Sequence, residues 1–178
     1  MSNVKRFPGS FLESLNTLAG QVGSFIYKSK KNFKSTTVRL EKACGFWPHT
    51  SLNILPTGIE INMYIVNQKD ERVAIRKRTE NIRFYRELES HKAQIESLFG
   101  SKLDWNFSTT KTTHQQVAWR LPSPATAYNQ DKWFDLQCVL LLQFSKFRYA
   151  VETSIKGCSN EIPSQISSTI QRIRSEHK

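Results

Sequence analysis

Glycine is scarce and scattered in this chain, with 7 among 178 residues, and none of them precedes a Lys-Ser or Lys-Thr pair. A phosphate-cradling loop needs clustered glycines so that backbone N–H groups can approach the anion, so that class of nucleotide enzyme is excluded. Cysteine is scarcer still. Cys44, Cys138 and Cys158 are three, odd in number and far apart, which is no disulfide framework and points to a reducing compartment. Cys44 and His49 form the only close Cys/His pair, too few ligands for a structural zinc site. The His-x-Glu and Cys-x-x-Cys of the zinc deaminases are missing as well. No metal or cofactor is expected. The longest aliphatic run, Val139–Leu142, falls far short of the ~20 residues of a membrane helix. No charged-plus-apolar leader opens the sequence. These absences predict a soluble, cytoplasmic protein with no membrane association.

Metal-dependent nucleases of the PD-(D/E)XK type need a Glu-x-Lys or Asp-x-Lys on a strand, where carboxylates hold the metal and the lysine assists water. The only such triplet is Glu176-His177-Lys178, at the end of the sequence with no strand pattern around it. That nuclease fold is excluded. A Cys–His or Ser–His pair stays open, because such partners meet in space. His49, His91 and His114 suit surface or capping roles, and the sequence leans away from an enzyme.

What the chain does have is positive charge, unevenly placed. Residues 1–86 hold 15 Lys/Arg against 6 Asp/Glu, and residues 87–178 hold 11 against 9. A basic half joined to a nearly neutral one suits a polyanionic partner, nucleic acid before an acidic protein or membrane. Two clusters contribute most. In the first, Lys28, Lys30, Lys31 and Lys34 are interleaved with Tyr27 and Phe33, the pairing of phosphate-binding cations and stacking rings seen at nucleic-acid sites. In the second, Arg72, Arg76, Lys77 and Arg78 lead into Arg83 and Arg86 on a helix. A solvated loop and a solvated, partly self-paired face are the competing descriptions; Arg83 and Glu87 have the spacing of a helical ion pair.

The 38% hydrophobic content supports a real core, and the length suits one domain over residues 1–178. Residues 1–9 read as a flexible start. Ser10 then caps a helix bearing Phe11, Leu15, Leu18, Val22 and Phe25/Ile26. Strands are predicted over 36–40, 51–55 and 58–66, the last two as a hairpin through Pro56-Thr57-Gly58, after a turn around Cys44-Gly45 and Pro48. In 58–66, Ile59, Ile61, Met63 and Ile65 face one way and Glu60, Asn62 and Tyr64 the other, which predicts a sheet with one buried face.

From Thr79, an N-cap candidate, one helix is predicted to run to Phe99 and stop at Gly100, with Leu103, Trp105 and Phe107 alternating on a strand over 102–108. Val117–Leu121 forms a further strand ended by Pro122 and Pro124. Asp131 opens a long helix, apolar nearly all round and ended by Gly157, whose excess could seal a homodimer. A helical tail over 160–178 carries Ile162, Ile166, Ile170 and Ile173 on a narrow stripe. The fold class is α+β in two layers, an antiparallel sheet of about five strands against two to four helices.

Phe84, Tyr85, Leu88, Lys92, Ile95, Glu96, Phe99, Gly100, Leu103 and Trp105 together form a pattern that resembles the signature of the bacterial and archaeal family called domain of unknown function 4268. The strand 58–66, Arg120 and the Trp133 helix follow in similar order, so the resemblance spans roughly residues 10–152. Members of that family often sit C-terminal to restriction-nuclease-like modules. The resemblance therefore implies a non-catalytic accessory module of a restriction or defence system. Two functions are consistent with these observations. One is nucleic-acid binding, DNA before RNA, through Lys28, Lys30, Lys31, Lys34, Arg72, Arg76, Lys77, Arg78, Arg83 and Arg86. The other is a protein-interaction module, possible as a homodimer, that binds a partner through its C-terminal helices.

Overall fold

The computed structural model describes residues 9–22, 37–42, 48–55, 58–66, 82–107, 114–122, 130–157 and 163–176. In chain order these are α1 (Gly9–Val22), β1 (Thr37–Lys42), β2 (Pro48–Leu55), β3 (Gly58–Val66), α2 (82–90), α3 (Lys92–Phe99), β4 (Asp104–Asn106), β5 (His114–Pro122), α4 (Trp133–Lys156) and α5 (Pro163–Glu176). A 3-10 turn over Gln130–Lys132 leads into α4. Mixed helix and antiparallel sheet place the fold in the α+β class.

The strand order is β1-β2-β3-β5-β4, with each neighbouring pair antiparallel. β2 and β3 pair from Pro48↔Ile65 to Leu55↔Gly58, whereas Pro56 and Thr57, expected to form the turn, lie outside the described residues. Pro48, expected in a turn, instead opens β2, where a missing N–H costs the ladder least. β5 is longer than the predicted 117–121 and returns alongside β3, with Ile61 opposite Trp119. β4 is shorter than predicted. It pairs with β5 only from Asp104↔Ala118 to Asn106↔Gln116.

Two of the residues predicted to face outward on β3, Glu60 and Asn62, are buried. Ile59, Ile61 and Met63 are buried as their spacing requires, but Glu60 is 8% exposed and Asn62 0%. The reason is position: β3 is the central strand, and its polar side chains are satisfied internally. Asn62 Nδ2 donates to Glu60 at 3.2 Å, and Arg120 Nε donates to the other oxygen of Glu60 at 2.6 Å. A buried carboxylate persists only with such partners.

The single predicted helix before Gly100 is two helices, broken at His91. His91 sits at φ −95°, ψ 7°, and its N–H bonds to Leu88 O at 3.0 Å, a tightened three-residue step rather than a continued α-turn. Ser90 Oγ donates to Glu87 O, the local competition by which serine weakens a helix interior. Thr79 and residues 23–36, 43–47 and 67–81 lie outside the described residues. Both glycine stops are present. Gly100 (φ 89°) donates to Glu96 O, and Gly157 (φ 73°) donates to Thr153 O.

Helix packing explains the all-round apolar pattern of α4, which touches α3, α5 and α1. Phe99 on α3 makes edge contacts with Trp119 of β5 at 6.3 Å and Phe147 of α4 at 6.0 Å, so one ring links sheet and helices. Phe11 of α1 meets Trp133 edge-on at 5.3 Å. Nearby, Gln137 bridges α4 to α1, donating to Phe11 O and accepting from Ser14 Oγ. Ile166, Ile170 and Ile173 are buried. These three residues of the predicted stripe therefore belong to the core, Ile162 lies outside the described residues, and among the described residues only Leu98 and Val139 are large exposed apolar side chains. No helix of the described residues is long and apolar enough to cross a membrane.

A Cβ added at Gly100 would meet nothing within 4 Å, so substitution there tests backbone conformation without a steric term. Gly100→Ala is expected to destabilise by about 1–2 kcal/mol, the cost of a left-handed residue carrying a Cβ, with Gly100→Asn recovering part of it. Chemical denaturation with an unchanged m-value checks this.

Candidate nucleic-acid interface

The region around α3 and β4 is held by one buried carboxylate. Ile95 and Phe99 turn one face of α3 into the core, and Glu96, next to Ile95, is carried in with them at 6% exposure. Its Oε1 accepts the Leu103 N–H and the Trp105 indole N–H, both at 3.1 Å, while Oε2 accepts from Lys102 Nζ at 2.9 Å. Burial pushes the Glu96 carboxyl pKa up. The hydrogen bonds from Lys102, Leu103 and Trp105 outweigh that and hold it below its ordinary value of 4.5.

Rings and cations are arranged on this support. Trp105 and Phe107 are half-buried, and both pack on buried Tyr85 of α2, with centroids at 6.2 and 5.2 Å. The Arg86 guanidinium lies 4.4 Å from the Phe107 ring centre and Lys92 Nζ 5.6 Å from that of Trp105. Arg86 also pairs with Glu89 at 2.5 Å. Arg83 is exposed and pairs with no carboxylate among the described residues, so the anticipated Arg83–Glu87 pair is replaced by Arg86–Glu89. Of the predicted binding residues, Arg83 and Arg86 are thus placed on α2. Lys28, Lys30, Lys31, Lys34, Arg72, Arg76, Lys77 and Arg78 lie outside the described residues. Among the described residues, Thr37 is level with Glu60 through Asn53, and Val66 is level with His114.

A second polar group lies on the sheet. Arg120 binds Glu60 at 2.6 Å and Asp104 at 3.2 Å, so two carboxylates share one guanidinium. Among the described residues no group of three or more His, Cys, Asp or Glu could hold a metal ion. Cys138 is 3% exposed, and burial pushes its thiol pKa up, the opposite of what a nucleophile needs.

A family model described as Domain of unknown function (DUF4268) matches residues 10–155. The chain belongs to this family. No curated protein and no solved structure matches it.

The residues that resembled the family signature now have physical roles. Phe84, Tyr85, Leu88, Ile95, Phe99 and Leu103 are core, Gly100 makes the left-handed stop, and Glu96 and Trp105 are hydrogen-bonded to each other. Lys92 is the exposed member, set over the Trp105 ring. Spacing showed the alternation but not the Glu96 bonds, since glutamate on a helix normally signals a solvated face. The one available cue was that Glu96 lies beside Ile95 on a short helix ending in glycine.

Glu96→Gln keeps the shape but replaces one acceptor oxygen with a donor that faces Lys102 or an N–H. A loss of about 1–3 kcal/mol is expected. The folded carboxyl pKa lies below the unfolded one, so its contribution is complete above pH 4.5 and is lost as pH falls through the folded value. Thermal unfolding from pH 7 to 3 should show that acid-side loss in the native protein and a shallower one in the variant.

Proposed function

We propose that this chain is a non-catalytic nucleic-acid-binding module, DNA before RNA, serving as an accessory part of a restriction or defence-type system. The observation that supports it is how charge is divided along the sequence. Residues 1–86 hold 15 Lys/Arg against 6 Asp/Glu, whereas residues 87–178 hold 11 against 9. Several carboxylates have internal partners: Glu96 has Lys102 and two N–H groups, Glu60 and Asp104 share Arg120, and Glu152 has Arg148. A chain that engages its acids internally and carries most of its excess positive charge in its first half is suited to a polyanion. Arg83 and Arg86 extend the second cluster onto α2. The contacts of Glu60 and Asp104 with Arg120 and the burial of Cys138 favour binding over chemistry. The defence context comes from the family likeness.

Binding of labelled duplex DNA and of RNA, titrated at several salt concentrations, tests this reading. The expected result is an affinity that falls steeply with salt, because each phosphate contact releases counterion. Absence of binding at low salt, or binding indifferent to salt, would contradict it.

A further inference from the structure

We propose that the face formed by α2, α3 and β4, with Arg83, Arg86 and Lys92, contacts the phosphodiester backbone and does not stack bases. This rests on the nucleic-acid reading above and adds to it a place and a mode of contact.

The kink at His91 makes the face. Residues 86 and 92 are six apart, and on an unbroken helix they would point about 120° away from each other. The break lets Arg86 on α2 and Lys92 on α3 reach rings on the same stretch of chain, Phe107 and Trp105. Those rings are two residues apart in the chain, so two cations are gathered beside one short segment. A repeated single negative charge at short intervals is the character of a phosphodiester chain. Holding each cation over an aromatic face lowers the ordering cost of binding.

The same contacts decide the mode. Trp105 and Phe107 are half-buried against Tyr85, and Lys92 and Arg86 occupy ring faces a base would need. Contacts of this kind position a backbone without reading sequence. Lys92 pairs with no carboxylate among the described residues, and Arg86 keeps a side chain 57% exposed beside Glu89, with donors to spare beyond that pair.

The test uses the full chain, a labelled duplex of mixed sequence and a single strand of the same length, with Arg83→Gln, Lys92→Gln and Phe107→Leu compared at matched thermal stability. Each Gln variant is expected to bind several-fold more weakly and to lower the slope of log K against log salt by about 0.9. Phe107→Leu keeps the charge and loses its support, so it should weaken binding with the slope retained. Replacing the sequence of the duplex should change affinity less than twofold. If the native chain binds and both Gln variants keep its affinity and slope, this face is wrong and the nucleic-acid reading survives. If binding is strong only to the single strand and is lost in Phe107→Leu, stacking replaces backbone contact. If the native chain binds neither probe, the nucleic-acid reading itself fails and this inference with it.

Discussion

A buried glutamate at the end of a two-turn helix holds the centre of this fold. Glu96 gains nothing from burial itself, since removing a carboxylate from water opposes its ionised form. It is stable because three donors converge on it: the Leu103 amide, the Trp105 indole and the Lys102 ammonium. All three belong to the chain just after Gly100, whose left-handed conformation turns the backbone so that they can reach back. Helix end, glycine stop and returning strand are therefore one unit. Phe99 on the same turn then touches both Trp119 and Phe147, which ties that unit to the sheet on one side and to α4 on the other.

The proposed binding surface inherits its geometry from this unit. Trp105 is set in place by its bond to Glu96, and its ring supports Lys92. Phe107 follows two residues later and supports Arg86. The signature residues build the support, and the proposed contact residues Arg86 and Lys92 lie against its rings. A division of this kind explains why the most specific residues in the sequence are mostly buried while the proposed binding residues are ordinary lysines and arginines.

Much of this was legible in the sequence. The alternation in 58–66 fell on β3 with the same bounds, and Gly100 and Gly157 ended their helices as φ > 0 positions should. Those features depend on local chemistry, which a sequence displays. Three others depend on what lies alongside in space. Glu60 and Asn62 looked solvated because alternation cannot tell a central strand with internal partners from a half-exposed one. The break at His91 was hidden because apolar spacing continues smoothly across it from Leu88 to Ile95. Ile166, Ile170 and Ile173 looked like a free stripe because nothing local shows that α4 has a side left for them. For the proposed face, Arg83 and Arg86 were singled out by charge. Lys92 was noted only as a signature residue, because its role depends on a ring thirteen positions away.

Hydrogen exchange at the Leu103 amide and the Trp105 indole N–H measures the central interaction directly. Neither belongs to a helix ladder, and β4 begins only at Asp104, so their protection reports the bonds to Glu96 together with the burial they maintain. The account predicts that both exchange only through openings nearly as costly as global unfolding, and that both lose protection together in Glu96→Ala. Fast exchange of either proton in the native protein, or protection unaltered by that substitution, would contradict it.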